Sequence, residues 1–333
     1  MSNPGNDDLA DLIRHVRVAA SPFRTQLNAL YEKYLPVTDG RVADYIPELA
    51  KAEATTFGIA VVHTESGEVF EVGACDKLFT MQSVSKAFVH GLVLEDCGRE
   101  QVLQRVGVEP TGDAFNSIIK LDGTSHRPHN PMVNAGAIAT ASLVKGQDPA
   151  DKLQRILDMF GRYIGRRPTV DAAVYTSEKA TGHRNRAIAH LLLNFGMLPD
   201  QLDEVLDLYF QQCSIMVNTR DLAVMAATLA NGGVNPLSGE RALAAEYVQD
   251  VLSVMLSCGM YDFSGEWIYR VGMPAKSGVA GGLTAVAPGR LGIGVYSPPL
   301  DDKGNSVRGV AVCESLSRDL GLHVFNPPAV SDA

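Results

Sequence analysis

The stretch "TMQSVSKAF", Thr80 to Phe88, carries two serines and one lysine in what reads as the start of a helix. Side chains three residues apart stack on one helical face, whereas adjacent ones diverge by about a quarter turn or more. Ser83 therefore meets Lys86, and Ser85 points elsewhere. The preceding "DKLFT" runs into a turn, which places Thr80 to cap the helix and Ser83 in its first turn. Backbone N–H groups in a first turn lack intrahelical acceptors and are free to hold a developing negative charge. A serine with a neighbouring base and half of an oxyanion hole has a nucleophile's surroundings. Ser-x-x-Lys is also common on solvated helices, so other features of the chain must decide.

Immediately upstream, "FGIAVVHTESGEVFEVGA" reads as two strands joined around Glu65, Ser66 and Gly67. Before that hairpin, Leu9 to Leu35 shows helical apolar spacing interrupted near Pro22, and "VADYIPELAK" is a connector. Downstream, from about Val102 to Met260, the pattern is chiefly helical: "NPMVNAGAIATASLV", "DKLQRILDMFGRY", "SEKATGHRNRAIAHLLLNFG", "DQLDEVLDLYFQQC", "TRDLAVMAATLANGG" and "RALAAEYVQDVLSVML". Strand character returns in "MPAKSGVAGGLTAVAP" and "RLGIGVYSP", joined at Pro288 and Gly289, and "NSVRGVAVCESLSRDLG" closes with a helix.

If the early and late strands share one sheet, the chain is not two sequential domains. The expected fold is α+β, an antiparallel sheet flanked by terminal helices with an inserted helical lobe. One domain covers 1–333, with a sheet lobe from about 1–80 and 262–333 and a helical lobe from about 81–261. The active site is expected between the lobes, where Ser83 begins the first long excursion from the sheet. Glu109 to Arg127, rich in Gly, Asp, Thr and Ser around an apolar patch, reads equally as a mobile lid or a fixed loop.

Composition narrows the function. The 333 residues are 46% hydrophobic, ample for a core, and 38 acidic against 29 basic residues give a formal charge of −9. That balance opposes attraction to nucleic acid or anionic membranes and suits a small polar ligand. "MSNPGNDDLADLIRHV" lacks the basic and apolar segments of a secretory signal, and no apolar run is long enough to span a bilayer, so a cytoplasmic protein is expected. Cys75, Cys97, Cys213, Cys258 and Cys313 are odd in number and scattered, which suits reduced thiols. His126 and His129 lack a nearby cluster of further ligands and read as structural or loop histidines. No metal and no cofactor is expected.

A second constellation lies in "MPAKSGVAGG", where Lys276, Ser277, Gly278 and Val279 fall in a predicted strand whose glycines permit close approach by a ligand. Read alone, this is as well explained by a strand edge with a glycine bulge. An early Ser-x-x-Lys followed by a late Lys-Ser-Gly resembles the order in penicillin-binding proteins and class A β-lactamases, although their Ser-Asp-Asn motif is missing here. More closely, the chain resembles the serine-dependent glutaminases, which share the β-lactamase-like fold. The likeness runs through "VADYIPELA", "MQSVSKAF", "PHNPMVNAGAI", "YTSEKATGHRNRA", "LDLYFQQCS", "CGMYDFSGEW" and "AKSGVAGG".

The resemblance implies hydrolysis of L-glutamine to glutamate and ammonia, with Ser83 as nucleophile and Lys86 as its base. It also implies a glutamine pocket drawn from Tyr45, Ser83, Asn134, Glu178, Asn185, Tyr209, Tyr261 and Val279, and a homo-oligomer, dimer or tetramer. Tyr261 is the candidate to bond Ser83 or Lys86 and relay a proton to the departing amine. The residue types suit the ligand. Glutamine presents an ammonium, a carboxylate and an amide, and Glu178 is the natural ammonium partner. Glu178 and Asn185 sit seven apart in one predicted helix, nearly on one face. Asn130 is placed to cap, and Pro131 to begin, the helix that carries Asn134. Without the resemblance, Glu178 reads as a dipole-compensating surface residue, Tyr209 as core, Tyr45 as a connector anchor and Asn185 as solvated. A lysine of ordinary pKa, about 10.4, is neutral in only about one molecule in a few thousand at pH 7, so Lys86 must be depressed by burial, with Lys276 a possible source of repulsion. The rival readings are a β-lactamase- or peptidase-like serine hydrolase and a catalytically silent amino-acid-binding domain.

Overall fold

Residue alternation along β1 (Gly58–His63) sets the middle of the molecule: Ile59 and Val61 belong to one buried cluster, Ala60 and Val62 to another. The computed structural model describes residues 21–111 and 125–326. Within them β1 pairs on one side with β2 (Val69–Gly73), Val61 opposite Phe70, and on the other with β7 (Leu291–Tyr296), Val61 opposite Ile293. β6 (Gly282–Ala287) continues the sheet and β5 (Ala275–Ser277) ends it, giving the order β2-β1-β7-β6-β5 with every neighbour antiparallel. Strands from the two ends of the chain thus share one sheet. Both expected hairpins are present, with Gly67 and Gly289 at positive φ in their turns.

On the Ile59 face pack Leu27 and Leu30 of α1 (Pro22–Tyr34), Val312 and Leu316 of α11 (Val307–Leu320), and Trp267 of α10 (Ser264–Arg270). The other face is covered by α8 (Thr219–Ala230), which falls in the helical stretch of the sequence yet lies on the sheet through Ala223, Val224 and Ala227. Close approach is possible because β7 presents Gly292 and Gly294 there. A Cβ at those positions would stand 2.1 Å from the Ala227 nitrogen and 2.4 Å from the Thr219 oxygen. α8 starts with a reciprocal capping box between Asn218 and Asp221.

Against this layer stand α2 (Ser85–Leu103), α3 (Asn134–Ser142), α4 (Pro149–Ile164), α5 (Ala172–Thr181), α6 (His183–Asn194), α7 (Leu202–Cys213) and α9 (Ala245–Cys258). α2 is buried around most of its first half, from Ser85 to Leu94, so it is the hub of the helical part. α4 is amphipathic, burying Ile156, Met159, Phe160 and Tyr163, with Asp148 as N-cap and left-handed Gly165 ending it.

The expected single helix over "SEKATGHRNRAIAHLLLNFG" is two helices. Gly182 breaks it with ψ 35°, and a Cβ there would meet the Phe210 ring at 2.6 Å. The early part of Leu9–Leu35 and residues 112–124 of the Glu109–Arg127 segment lie outside the described residues. No helix among the described residues is long and apolar enough to cross a membrane.

Candidate active site

Ser83 enters the site on a tight turn. The chain leaves the two-residue strand β3 (Phe79–Thr80), makes a single 3-10 turn at Gln82–Val84, and begins α2 at Ser85. Thr80 does not cap that helix. It pairs with Met216 of β4 (Met216–Val217) and stays extended, while its hydroxyl accepts from Gln82 Nε2 at 3.3 Å. Gln82 has φ +50°, a strained conformation for a residue with a side chain. Ser85 is fully buried, donating to Gln82 O at 2.8 Å and accepting from Gln212 Nε2 at 3.0 Å. It tethers the turn and does not face the cavity.

One helical step on, the Lys86 amine is buried, and Nζ donates to Asn134 Oδ1 at 2.6 Å and to Met132 O at 3.3 Å. Burial holds its pKa down at about 8, against smaller opposing pulls from Cys213 and Glu178. A neutral amine has two N–H donors and one lone pair. Asn134 and Met132 occupy the donors, which leaves the lone pair to take a proton.

Asn134 is the first residue of α3, three positions later than Pro131, where the helix was expected to begin. Asn130 does not cap it. Its Oδ1 accepts from the Met132 and Val133 amides at 3.0 and 3.3 Å, and Val133 takes the N-cap position. That Asx turn delivers the Met132 carbonyl to Lys86. Asn134 Nδ2 in turn donates to Asn185 Oδ1 at 3.0 Å, and Tyr209 OH donates to Asn134 Oδ1 at 3.3 Å.

The Lys-Ser-Gly segment comes to the same place. β5 ends at Ser277, so Gly278 and Val279 lie in the turn to β6 and not in a strand as expected; Gly278 N bonds Gly282 O at 2.8 Å. A Cβ on Gly278 would stand 2.8 Å from Met81 O, so glycine is what allows this turn to rest on the Ser83 turn. Tyr261, at φ +58°, donates its hydroxyl to Ser277 O at 3.1 Å and is also hydrogen-bonded to Ser83. Two of the three non-glycine residues with positive φ among those described, Gln82 and Tyr261, therefore adjoin Ser83.

These elements enclose a cavity of about 460 Å³, the size of a small-ligand site. Ser83, Val279 and Tyr261 line it together with Asn134, Glu178, Asn185, Tyr209 and Tyr45. All eight residues expected to meet substrate thus share one cavity, with Lys86 behind its wall at Asn134. Tyr45 is 52% exposed, while Tyr209 is buried. Glu178 is 6% exposed and sits in the second half of α5, not on a solvated helix start. Burial raises its carboxyl to about 7, against a hydrogen bond from Gln82 and the charge of Lys86. Asn185 lies beyond the Gly182 break, in α6, so two helices and not one bring it beside Glu178. Sequence reasoning missed Gln82, which lines the cavity and bonds Glu178. It also missed the exposed Arg184 and the buried Cys213 in the lining. No spacing pattern marks these three. One buried carboxylate, several amides and phenols, and a serine near a deprotonatable amine suit a small zwitterion with a carbonyl to attack.

The sequence model of one protein family, Glutaminase, matches residues 40–325. The chain belongs to the glutaminase family. A glutaminase from Microcystis aeruginosa is 63% identical over 305 residues, covering 92% of this chain and 90% of that protein. Among solved structures, Mglu in its glutamate form matches with a TM-score of 0.88 at 43% identity, over 93% of this chain and 71% of that one. The probable glutaminase ybaS matches with a TM-score of 0.88 at 42% identity, over 91% of this chain and 98% of that one. The mixed helix and antiparallel-sheet fold is thus that of solved glutaminases, and the activity is that of an L-glutamine amidohydrolase with L-glutamine as substrate.

Proposed function

We propose that the glutaminase reaction here is acyl transfer through a seryl ester, run by Ser83 and Lys86 on a β-lactamase-like scaffold whose sheet and helical lobes flank the cleft. Lys86 Nζ takes the Ser83 hydroxyl proton as Oγ bonds to the side-chain carbonyl carbon of glutamine. The N–H groups of Ser83 and Val279 receive the oxyanion. The carbon–nitrogen bond then breaks, and the proton lodged on Lys86 reaches the departing nitrogen by way of Tyr261, releasing ammonia. Water attacks the ester, Lys86 takes its proton, and that proton returns to Ser83 Oγ as glutamate leaves. Glu178 meets the substrate ammonium, while Asn134, Asn185 and the phenols of Tyr45 and Tyr209 orient the rest.

The observation that carries this reading is a buried amine, held near pKa 8, one helical step from a serine that lines the cavity. Ser83→Ala should end ammonia release from glutamine in a folded protein, and an electrophilic glutamine analogue should label Ser83 on peptide mapping. Retained turnover, or a label on another side chain, would reject it. The protein is proposed to work in the cytoplasm as a homo-oligomer, dimer or tetramer, in keeping with the family likeness.

A further inference from the structure

Lys276 has no role in the steps above, yet it is buried with 0% exposure in β5. Its Nζ donates to Gly259 O at 2.8 Å and to Ser277 O at 2.7 Å, and lies 4.1 Å from the centre of the Tyr261 ring. An ammonium has three N–H groups, and here each has an acceptor: two carbonyls and the electron-rich face of a phenol. A neutral amine making the same two bonds would turn its lone pair onto that face. Burial and the charge of Lys86 hold the Lys276 pKa well below the ordinary lysine value, against a smaller opposing pull from Cys258. The two carbonyls and the ring face, all acceptors, suit the protonated form.

The Ser277 carbonyl is shared. Tyr261 OH donates to it at 3.1 Å, but Lys276 donates to it at 2.7 Å. The shorter bond takes the better share of that acceptor. The phenolic hydrogen is thereby held loosely on the side away from Ser83. Tyr261 also carries a strained backbone, which persists only where its surroundings over-determine it. The lysine beneath its ring is such a restraint.

We infer that Lys276 is a positioning residue for Tyr261: its ammonium clamps the ring and occupies the Ser277 carbonyl, leaving the phenolic hydrogen available to Ser83 and the departing nitrogen. The inference rests on the reading of Ser83 and Tyr261 as the reacting pair. Removing the ammonium lets the phenol settle onto Ser277 O and loosens the ring.

Lys276→Met keeps the length and removes the charge and donors. Its kcat on glutamine should fall about tenfold, the scale of one desolvated cation–ring contact, with KM within about twofold of wild type. On a Tyr261→Phe background, assayed at high enzyme concentration, the same change should cost less than about twofold, because the hydroxyl it serves is gone. Lys276→Gln, which retains a donor but no charge, replaces it in the same cycle if the methionine variant does not melt cooperatively. Equal losses on both backgrounds, a KM rise matching the kcat loss, no loss at all, or full activity in Tyr261→Phe would each overturn the inference. Ser83→Ala separates the two levels: residual turnover there sinks the reading of the site, whereas an inactive Ser83→Ala beside additive 261 and 276 effects sinks only the role of Lys276.

Discussion

Lys86 Nζ and Asn134 Oδ1 stand 2.6 Å apart, amine to amide oxygen, at the junction of α2 and α3. The same Asn134 passes its Nδ2 to Asn185, which lines the cavity. One uncharged amide thus links the proposed base to a proposed substrate contact. Its neutrality matters: an acceptor without charge orients the amine and adds little to the stability of the ammonium.

The rate should therefore rise with pH through about 8, as Lys86 loses the proton that blocks it from acting as a base. Asn134→Asp sets an anion beside Lys86 and favours the ammonium. The rising limb of the pH–rate profile should then move upward by about a unit or more, with activity near pH 7.5 falling at least about tenfold and partly recovering at higher pH. A limb that stays in place would remove Lys86 as the titrating group.

Glu178→Gln should raise KM for glutamine about tenfold or more and change kcat less, as expected for loss of a charge-assisted contact to the substrate ammonium. The stability effect has a definite sign. Burial raises the carboxyl from 4.5 to about 7, so its favourable contribution is present below 4.5 and is lost as pH rises through 7. Glu178→Gln should accordingly melt higher than wild type at pH 8, by an amount worth roughly 2–3 kcal/mol, and lose that advantage near pH 4. Melting curves at the two pH values check it.

The two serines of the turn should separate cleanly. Ser85→Ala leaves Gln82 O without its donor and Gln212 Nε2 without its acceptor inside the core. It should cost about 1–3 kcal/mol in denaturant melts while most turnover survives. Ser83→Ala should show the reverse, with stability near wild type and no turnover.

Gly278→Ala tests the backbone contact that seats the β5–β6 turn against the Ser83 turn. The added methyl meets Met81 O at 2.8 Å, a backbone atom that cannot swing aside. Displacing the Val279 amide by even a fraction of an ångström should lower kcat by about tenfold or more, the scale of a weakened oxyanion donor, with a smaller change in KM. Wild-type kcat in this variant would argue against an oxyanion role for Val279.

How far the chain could be read depended on the range of the interaction. Period-2 and period-3.6 patterns found the β1–β2 and β6–β7 hairpins and most helices of the described region, with α5 and α6 read as one, because those periods follow from local backbone geometry. Boundaries were less legible. Thr80 looked like a cap, but pairing with Met216 fixed it as strand. Asn130 looked like a cap, but its side-chain oxygen closes an Asx turn, and the helix begins four residues later at Asn134. Gly182 looked like an interior glycine until Phe210, from another helix, filled the space beside it.

By itself, the sequence determined that strands from both chain ends flank a helical block, and that Ser83 and Lys86 lie one helical step apart. Both are consequences of short-range periodicity. Only the tertiary structure decided that Asn134 holds the Lys86 amine, that Glu178 is buried with a raised pKa, and that Lys276 lies under Tyr261. The first joins residues 48 positions apart and the last residues 15 apart across a turn and a helix, and the second depends on how much water is excluded. Desolvation and long-range contact exist only once the layers have packed.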